Sequence, residues 1–442
     1  MRALRSCKGP CRTATFDIDQ CLSGAWAMQM AEPQESADAP RKPRRRWLQI
    51  SLRTLLILMT LLSIGLGWFV HRGERQRRAV AALKKVGADI EYEANDSPLI
   101  IIVNAPPAES DLGRWLPRDY FDGVECVVLS GSEVKNADMV HLRGLPRLGE
   151  LWLGNTQVTD AGLVHLKGLT RLNRLALNGT RVTDAGLTHI QELTWLKNLD
   201  LDGTQVTDAG LAHLKGLTRL EKLNLNGTQV TDAGLAHIRD LTQLKSLTLD
   251  GTQMTDAGLA HVRGLTQLKW LSLTGTHVTE AGLAHIQDLT RLEGLDLEGT
   301  QVTDAGLVDL KGLTRLERLY LGKTQVTDAG LAHVQGLTRL KCLSLDGMQV
   351  TDAGLTHVHS LTRLEKLYLG NTQVTDEGQT HVKGLTRLKE LDLEGTQVTD
   401  AGLAQLEGLT SLAYLHLRGT QVTDEGAARL QGKLPKCRIW RY

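Results

Sequence analysis

Residues 217–240 read LTRLEKLNLNGTQVTDAGLAHIRD, and variants of this 24-residue phrase follow one another without insertion from Phe121 to Gly432, thirteen units in all. Within it Leu223 and Leu225 alternate with Lys222, Asn224 and Asn226. A period of two puts the leucines on one face of a short strand and the three polar residues on the other. Leu235 and Ile238 lie three apart on a short helical segment that starts near Asp232, whose carboxylate is expected to act as its N-cap. A single unit of this size cannot bury its own leucines. The units therefore stack with strands about 4.8 Å apart, giving a parallel sheet about 60 Å long with short helices outside. Helices are wider than strands, so the stack curves with its sheet on the concave side. The fold class is α/β.

Composition agrees with one residue type used repeatedly. The chain has 442 residues, 44 Gly and only 4% aromatic side chains, too few to fill several ordinary cores. Its net charge of +1 hides an asymmetry: residues 1–87 carry 16 Lys+Arg against 6 Asp+Glu, the remainder 35 against 44. An acidic body argues against nucleic acid as a partner. The six cysteines show no zinc-site spacing, and Cys126 and Cys342 sit on strands nine units apart, about 43 Å, too far for a bridge.

Residues 1–47 have neither periodicity nor an apolar run and read as a basic, disordered segment, in which Met28 and Met30 are alternative starts. The cluster Arg41-Lys42-Pro43-Arg44-Arg45-Arg46 and Trp47 then precede Thr54–Val70, 17 residues without a charge, about 25 Å as a helix. Residues 48–70 read as a transmembrane helix with Trp47 and Trp68 near its ends, the other readings being a buried core helix or a cleaved signal peptide. Arginines on both sides leave orientation weakly determined. Residues 71–120 read as a juxtamembrane helix ending at Gly87, followed by an N-terminal cap with strands at Ala88–Glu93 and Leu99–Val103. Residues 433–442 read as a closing strand with Cys437 and Ile439 facing the core, its pattern arriving two residues early.

The pattern LxxLxLxGTQVTDAGLxHL resembles the leucine-rich repeats, and its TDAGL segment resembles their cysteine-containing subclass. The ladder position of that subclass holds Thr here (Thr228 and its counterparts), with Ser132 and Met348 as variants. Met348 has no hydroxyl to bond the turn, so a looser turn is expected there. With the apparent anchor, the chain is similar to bacterial single-pass membrane-anchored leucine-rich-repeat proteins. That resemblance implies a right-handed solenoid on the extracytoplasmic, periplasmic side of a membrane. The subclass also suggests an alternative, an F-box-like substrate-recognition adaptor of a ubiquitin-type ligase, although no stretch before residue 121 resembles an F-box.

Candidate chemistry is sparse. Ten of the fourteen histidines recur in one helix slot, His237 among them; with neighbouring helices about 10 Å apart and no second ligand within a unit, they read as a solvated row rather than a metal ladder. No phosphate loop, calcium repeat, cofactor motif or nucleophile constellation is present, and no enzymatic activity or metal is expected. Gly234 and its counterparts are expected to let helix approach sheet.

The informative positions are those that vary between fixed leucines, and they line the concave face. Acidic residues recur there: Asp202, Asp250, Glu298, Asp346 and Glu394 every 48 residues, and Asp200, Asp296 and Asp392 every 96. Such recurrence follows from block duplication or marks an acidic track for a basic protein partner, densest at Glu390, Asp392 and Glu394. Trp152, Trp270, Tyr320, Tyr368 and Tyr414 share the face, with Arg174, Arg318 and Arg418 nearby. The function this implies is a membrane-anchored, non-catalytic protein-interaction scaffold.

Overall fold

The computed structural model describes residues 52–92, 123–131 and 133–441. The expected segment 1–47, the first four residues of the expected span, the strand at Leu99–Val103 and Ser132 lie outside them. The chain divides into two compact units, residues 1–62 and 63–442. In the first, residues 52–62 are helical with exposed side chains.

Helix α1 runs Leu52–Lys85, so the helices expected on either side of residue 70 are one. Among the described residues it is the one helix long and apolar enough to cross a membrane, and none of its apolar stretch is buried. Its last three turns behave differently. Ala79, Val80 and Leu83 enter the core of the second unit, so this helix, as well as the residues after it, covers the first apolar layer. The approach is close enough that a Cβ on Gly144 would come within 2.7 Å of Ala79 Cβ. Gly87, at φ +86°, ends the helix as expected.

Among the described residues fifteen strands form one sheet in sequence order. Strand β1 (Asp89–Tyr92) pairs antiparallel with β2 (Val124–Val128), and every later pairing is parallel. The strands that follow are β3 (Glu150–Trp152), β4 (Arg174–Ala176), β5 (Asn198–Asp200), β6 (Lys222–Asn224), β7 (Ser246–Thr248) and β8 (Trp270–Ser272). Then come β9 (Gly294–Asp296), β10 (Arg318–Tyr320), β11 (Cys342–Ser344), β12 (Lys366–Tyr368), β13 (Glu390–Asp392), β14 (Tyr414–His416) and β15 (Arg438–Trp440). Register advances by 24 residues at each step, as in Leu223↔Leu247. The closing strand keeps that register, Leu415↔Ile439, and does not arrive two residues early. Cys437 is buried and Ile439 packs on the core, as expected.

The threonine turns after the strands close alike. Thr228 Oγ1 donates to the Leu225 carbonyl at 2.6 Å, and Gly227 takes φ +59°. Asn155, Lys323 and Asn371 hold this left-handed position without being glycine. The turn at Met348 is no looser: its backbone bond to Leu345 is 3.3 Å, the same as that of Thr228 to Leu225. Met348 is buried, and apolar packing takes the place of the hydroxyl bond.

The aspartate row corrects the sequence reading. Thr231, extended at φ −120° and ψ −174°, is the N-cap, and its side chain accepts from Ala233 N. Asp232 instead reaches forward one unit, where its two carboxylate oxygens accept from Thr255 N at 2.8 Å and Thr255 Oγ1 at 2.6 Å. The same clasp recurs from Asp160–Thr183 to Asp400–Thr423. It also explains the helix glycines: a Cβ on Gly258 would meet Asp232 Oδ1 at 2.5 Å, so the glycine makes room for the previous unit's carboxylate rather than for the sheet. Glu280 is the exception. It keeps only a 3.4 Å bond from Thr303 Oγ1, and the segment that follows, Asp304–Gly312, is a 3-10 helix.

Candidate functional site

Three residues per unit leave the sheet on its open side, in columns that start at Lys222, Asn224 and Asn226 in the β6 unit. The side chains singled out from sequence all stand there, in two groups. Trp152 is alone at the β3 end, while Trp270, Tyr320, Tyr368, Glu390, Asp392, Glu394 and Tyr414 occupy β8 to β14 and the turn after β13.

In the larger group the aromatic residues are wired to their neighbours. The Trp270 ring lies across Gly294, where a Cβ would approach it to 2.2 Å, so the glycine in β9 makes a bed for the indole. The Arg318 guanidinium sits 4.9 Å from the Trp270 ring centroid, and Tyr320 meets that ring edge-on at 6.2 Å. Tyr320 Oη lies 3.6 Å from Cys342 Sγ. One strand further, Tyr368 Oη donates to Glu390 Oε1 at 3.1 Å while Lys366 Nζ pairs with Oε2 at 2.7 Å. Burial by itself would raise the Glu390 carboxyl, but the bonds from Lys366 and Tyr368 outweigh it and hold the group below its ordinary value. Tyr414 is the most open of the set, at 42% exposure.

Cys126 and Cys342 stand on this side of the sheet, yet both are covered. Burial raises both thiols, Cys126 to about 12. That is the reverse of what a nucleophilic cysteine needs. Among the described residues no group of three or more His, Cys, Asp or Glu is placed to hold a metal ion.

The acidic residues divide by role. Asp200, Asp296 and Asp392 each accept, through Oδ1, from the backbone N–H two residues on, at 3.1, 3.0 and 2.8 Å, and so brace their own turns. Asp250 and Asp346 accept from the next unit, at Thr274 N and Gly370 N. Burial is the main cause that raises Asp200, Asp296 and Asp346 above the ordinary aspartate value, with nearby carboxylates adding to it. Glu394 has Arg418 Nε at 3.8 Å.

Around Trp152 the structure shows what the sequence reading missed, a pocket of about 250 Å³ on β3 to β7. Arg174 stacks 4.9 Å from the Trp152 ring centroid, and the indole N–H donates to Glu150 at 3.3 Å. With its amide oxygen turned toward Arg174, Asn198 accepts from Nε at 3.1 Å and from Nη2 at 3.0 Å. Ala176, Asp200, Lys222, Asn224, Ser246 and Thr248 complete the lining. The available signal was size: alanine at 176, beside a tryptophan one unit earlier, leaves space that a larger side chain would fill.

Residues 362–422 match a leucine-rich-repeat family model, and residues 192–214 and 217–238 match a second one. Among solved structures the chain is similar to an internalin from Listeria monocytogenes, with 26% identity and a TM-score of 0.52 over 66% of this chain and 86% of that one. It is also similar to a leucine-rich-repeat protein of Leptospira interrogans, with 25% identity and a TM-score of 0.52 over 68% of this chain and 74% of that one. No curated protein matches. Matched segments, sheet order and structural neighbours agree, and the chain is a leucine-rich-repeat protein.

Proposed function

We propose that the protein is a membrane-anchored, non-catalytic interaction scaffold, held by a single span within residues 48–70 and α1, with its solenoid outside the cytoplasm and a basic protein partner bound on the concave face. The observation that carries this reading is the Trp270–Arg318–Tyr320 group on the same face as Glu390, Asp392 and Glu394, which stand three strands beyond Tyr320. Apart from the turn bond of Asp392, the repeat fold makes no use of these side chains, since the same slots hold serine, threonine or asparagine in other units. Aromatic residues stiffened by stacking, on one face with carboxylates, suit a cationic surface whose own side chains must be desolvated on binding. The Glu390 cluster is already hydrogen-bonded, so little ordering is required of it.

Two measurements test the reading separately. Protease digestion of a C-terminal tag in intact spheroplasts should remove the tag from the membrane fraction; protection, or a soluble product, overturns the topology. A photo-crosslinker at Tyr414 should capture a partner that one at His261, on the helix side, does not. Equal capture at both positions counts against the concave face.

A further inference from the structure

Arginines from two parts of the chain gather where α1 meets the first repeats. Trp68, Arg72, Arg75, Ala79 and Leu83 follow one another at helical spacing along one face of α1, and the last two enter the core. Arg143, Arg147 and Arg171 of the repeats come to the same place. With Trp68, Arg72 and Arg75 they line a pocket of about 570 Å³, a size that suits a small ligand. It lies wholly within the second compact unit, which begins at Ser63. Arg75, Arg143, Arg147 and Arg171 are exposed, while Arg72 is half-buried with its guanidinium 5.4 Å from the Trp68 ring centroid. The two sides are held close at Gly144, where a Cβ would meet the Arg75 carbonyl oxygen at 3.1 Å. Among the described residues no Asp or Glu lines the pocket. Glu74, the one acid in α1, pairs with Arg78 at 3.4 Å, and neither belongs to the lining.

Guanidinium groups gathered without an acid among them repel one another, and an anion would offset that repulsion. Two simpler causes do not account for the gathering. Basic residues that orient a membrane span act within about 15–20 residues of its end, and Arg143, Arg147 and Arg171 lie far beyond that. Arg147 and Arg171 do hold the slot of Arg219, which is arginine in many units. Only at this end of the solenoid, however, does a helix bring two arginines of its own to meet them.

We propose that this pocket binds the head group of an anionic phospholipid drawn from the bilayer that α1 enters. The site is separate from the concave face; it rests on α1 spanning a bilayer and not on which side the solenoid stands. Order along the helix selects the occupant. The apolar stretch comes first, then the Trp68 indole at interfacial depth, then the guanidinium groups. A phospholipid presents acyl chains, glycerol and phosphate in that same order, whereas a soluble polyanion has no use for an apolar wall at one end of its site. Depth agrees. Arg72 and Arg75 stand about 6 and 10 Å beyond Trp68 along the axis, against a headgroup layer about 5–8 Å deep, so Arg72 lies within that layer and Arg75 at its outer edge. All five cations of the lining are arginine, whose fork of N–H groups matches two phosphate oxygens at once.

The test uses the full-length protein in neutral detergent, with phosphatidylglycerol or phosphatidylcholine added and bound lipid counted by native mass spectrometry. Phosphatidylglycerol should be held at least tenfold more tightly than phosphatidylcholine. Replacing Arg72, Arg75 and Arg143 by Gln should reduce that preference to less than twofold. Replacing Arg291, Arg315 and Arg339 by Gln removes the same charge from distant units and should leave it intact. An Arg→Lys triple at 72, 75 and 143, which keeps charge and removes the fork, should fall between. Thermal melting checks that the variants fold; Arg171→Gln, at an exposed position, should lower the preference on its own and keeps the test open should the first triple lose stability. Equal losses in the two Gln triples, no preference in the unaltered protein, or displacement by inorganic phosphate or a single-stranded oligonucleotide as readily as by phosphatidylglycerol would overturn the proposal. Alkaline extraction of cell membranes reads the anchor separately. Retention of the protein without a lipid preference overturns this inference alone, whereas release of the protein overturns the span and the site with it.

Discussion

The helix side and the sheet side of the solenoid use the same residue for opposite ends. Asp232 and its counterparts on the helix side have both carboxylate oxygens occupied by the next unit's threonine. Asp200, Asp296 and Asp346 on the sheet side are half-buried, raised above the ordinary value and close to other carboxylates. One set is saturated by the fold, while the other keeps charge that the fold does not neutralise. Repetition alone therefore says little about function; what separates the rows is whether one threonine of the next unit takes both carboxylate oxygens or the carboxylate stands half-buried near others.

The largest effect that would break this contrast is on the helix side. Asp232→Ala removes two bonds and strands the Thr255 amide, which should cost about 2–3 kcal/mol. Urea unfolding and hydrogen exchange at Thr255 would register it, and an unchanged midpoint would mean the clasp contributes nothing. Trp270→Ala should do the reverse, weakening a concave-face partner by about 2 kcal/mol, roughly 30-fold, with a smaller change in stability. Titration calorimetry with the crosslinked partner checks it, and unchanged affinity removes Trp270 from the site.

Gln379 marks a flaw on the helix side. It fills the slot of Leu235, is fully buried, and neither polar atom of its amide has a hydrogen-bond partner. Gln379→Leu should stabilise by about 2 kcal/mol; a loss of stability would show that the amide has a role in the fold. Glu280→Asp should gain about 1 kcal/mol by restoring the bond to Thr303 N, read as a higher unfolding midpoint.

Acid should separate the two sides without mutation. The raised carboxyls of Asp200, Asp296 and Asp346 take up protons before ordinary carboxylates do, so affinity for a basic partner should begin to fall at a pH above the ordinary aspartate range. Their effect on stability has the opposite sign. A folded-state value above the unfolded one means that protonation favours the fold, so their contribution rises as pH falls through it. Glu390, held low, contributes stability that is lost as pH falls through its folded value. Binding that stayed constant to pH 4 would dissociate the acidic residues from recognition.

Much of the fold was legible because its causes are local. The alternation around Leu223 and the 24-residue period dictate strand, turn and stack without any knowledge of neighbours. Asp232 was misread for the same reason: in T-D-A-G-L either Thr231 or Asp232 could cap the helix, and the bond that decides between them spans 23 residues. The concave residues were legible as a face but not as a site. Trp270 meets Tyr320 across two units, and its seat depends on Gly294 in the unit between them. The pocket beside Trp152 depends on how a ring lies over Ala176, which no period encodes. Gln379 was legible in principle, as a polar letter in a leucine column.

The forward reach of the aspartate clasp bears on how such a chain can lengthen. From Asp160 to Asp400 each junction except that at Glu280 carries the same donor pair and the same acceptor, so a unit copied and inserted between two others arrives with both of its edges already matched. Growth by duplication needs no new solution to the core. Charge on the open face is then copied along with the frame, as the 48-residue recurrence of acids suggests. Later substitutions, such as the glycine beneath Trp270, are free to specialise one neighbourhood while the junctions stay interchangeable.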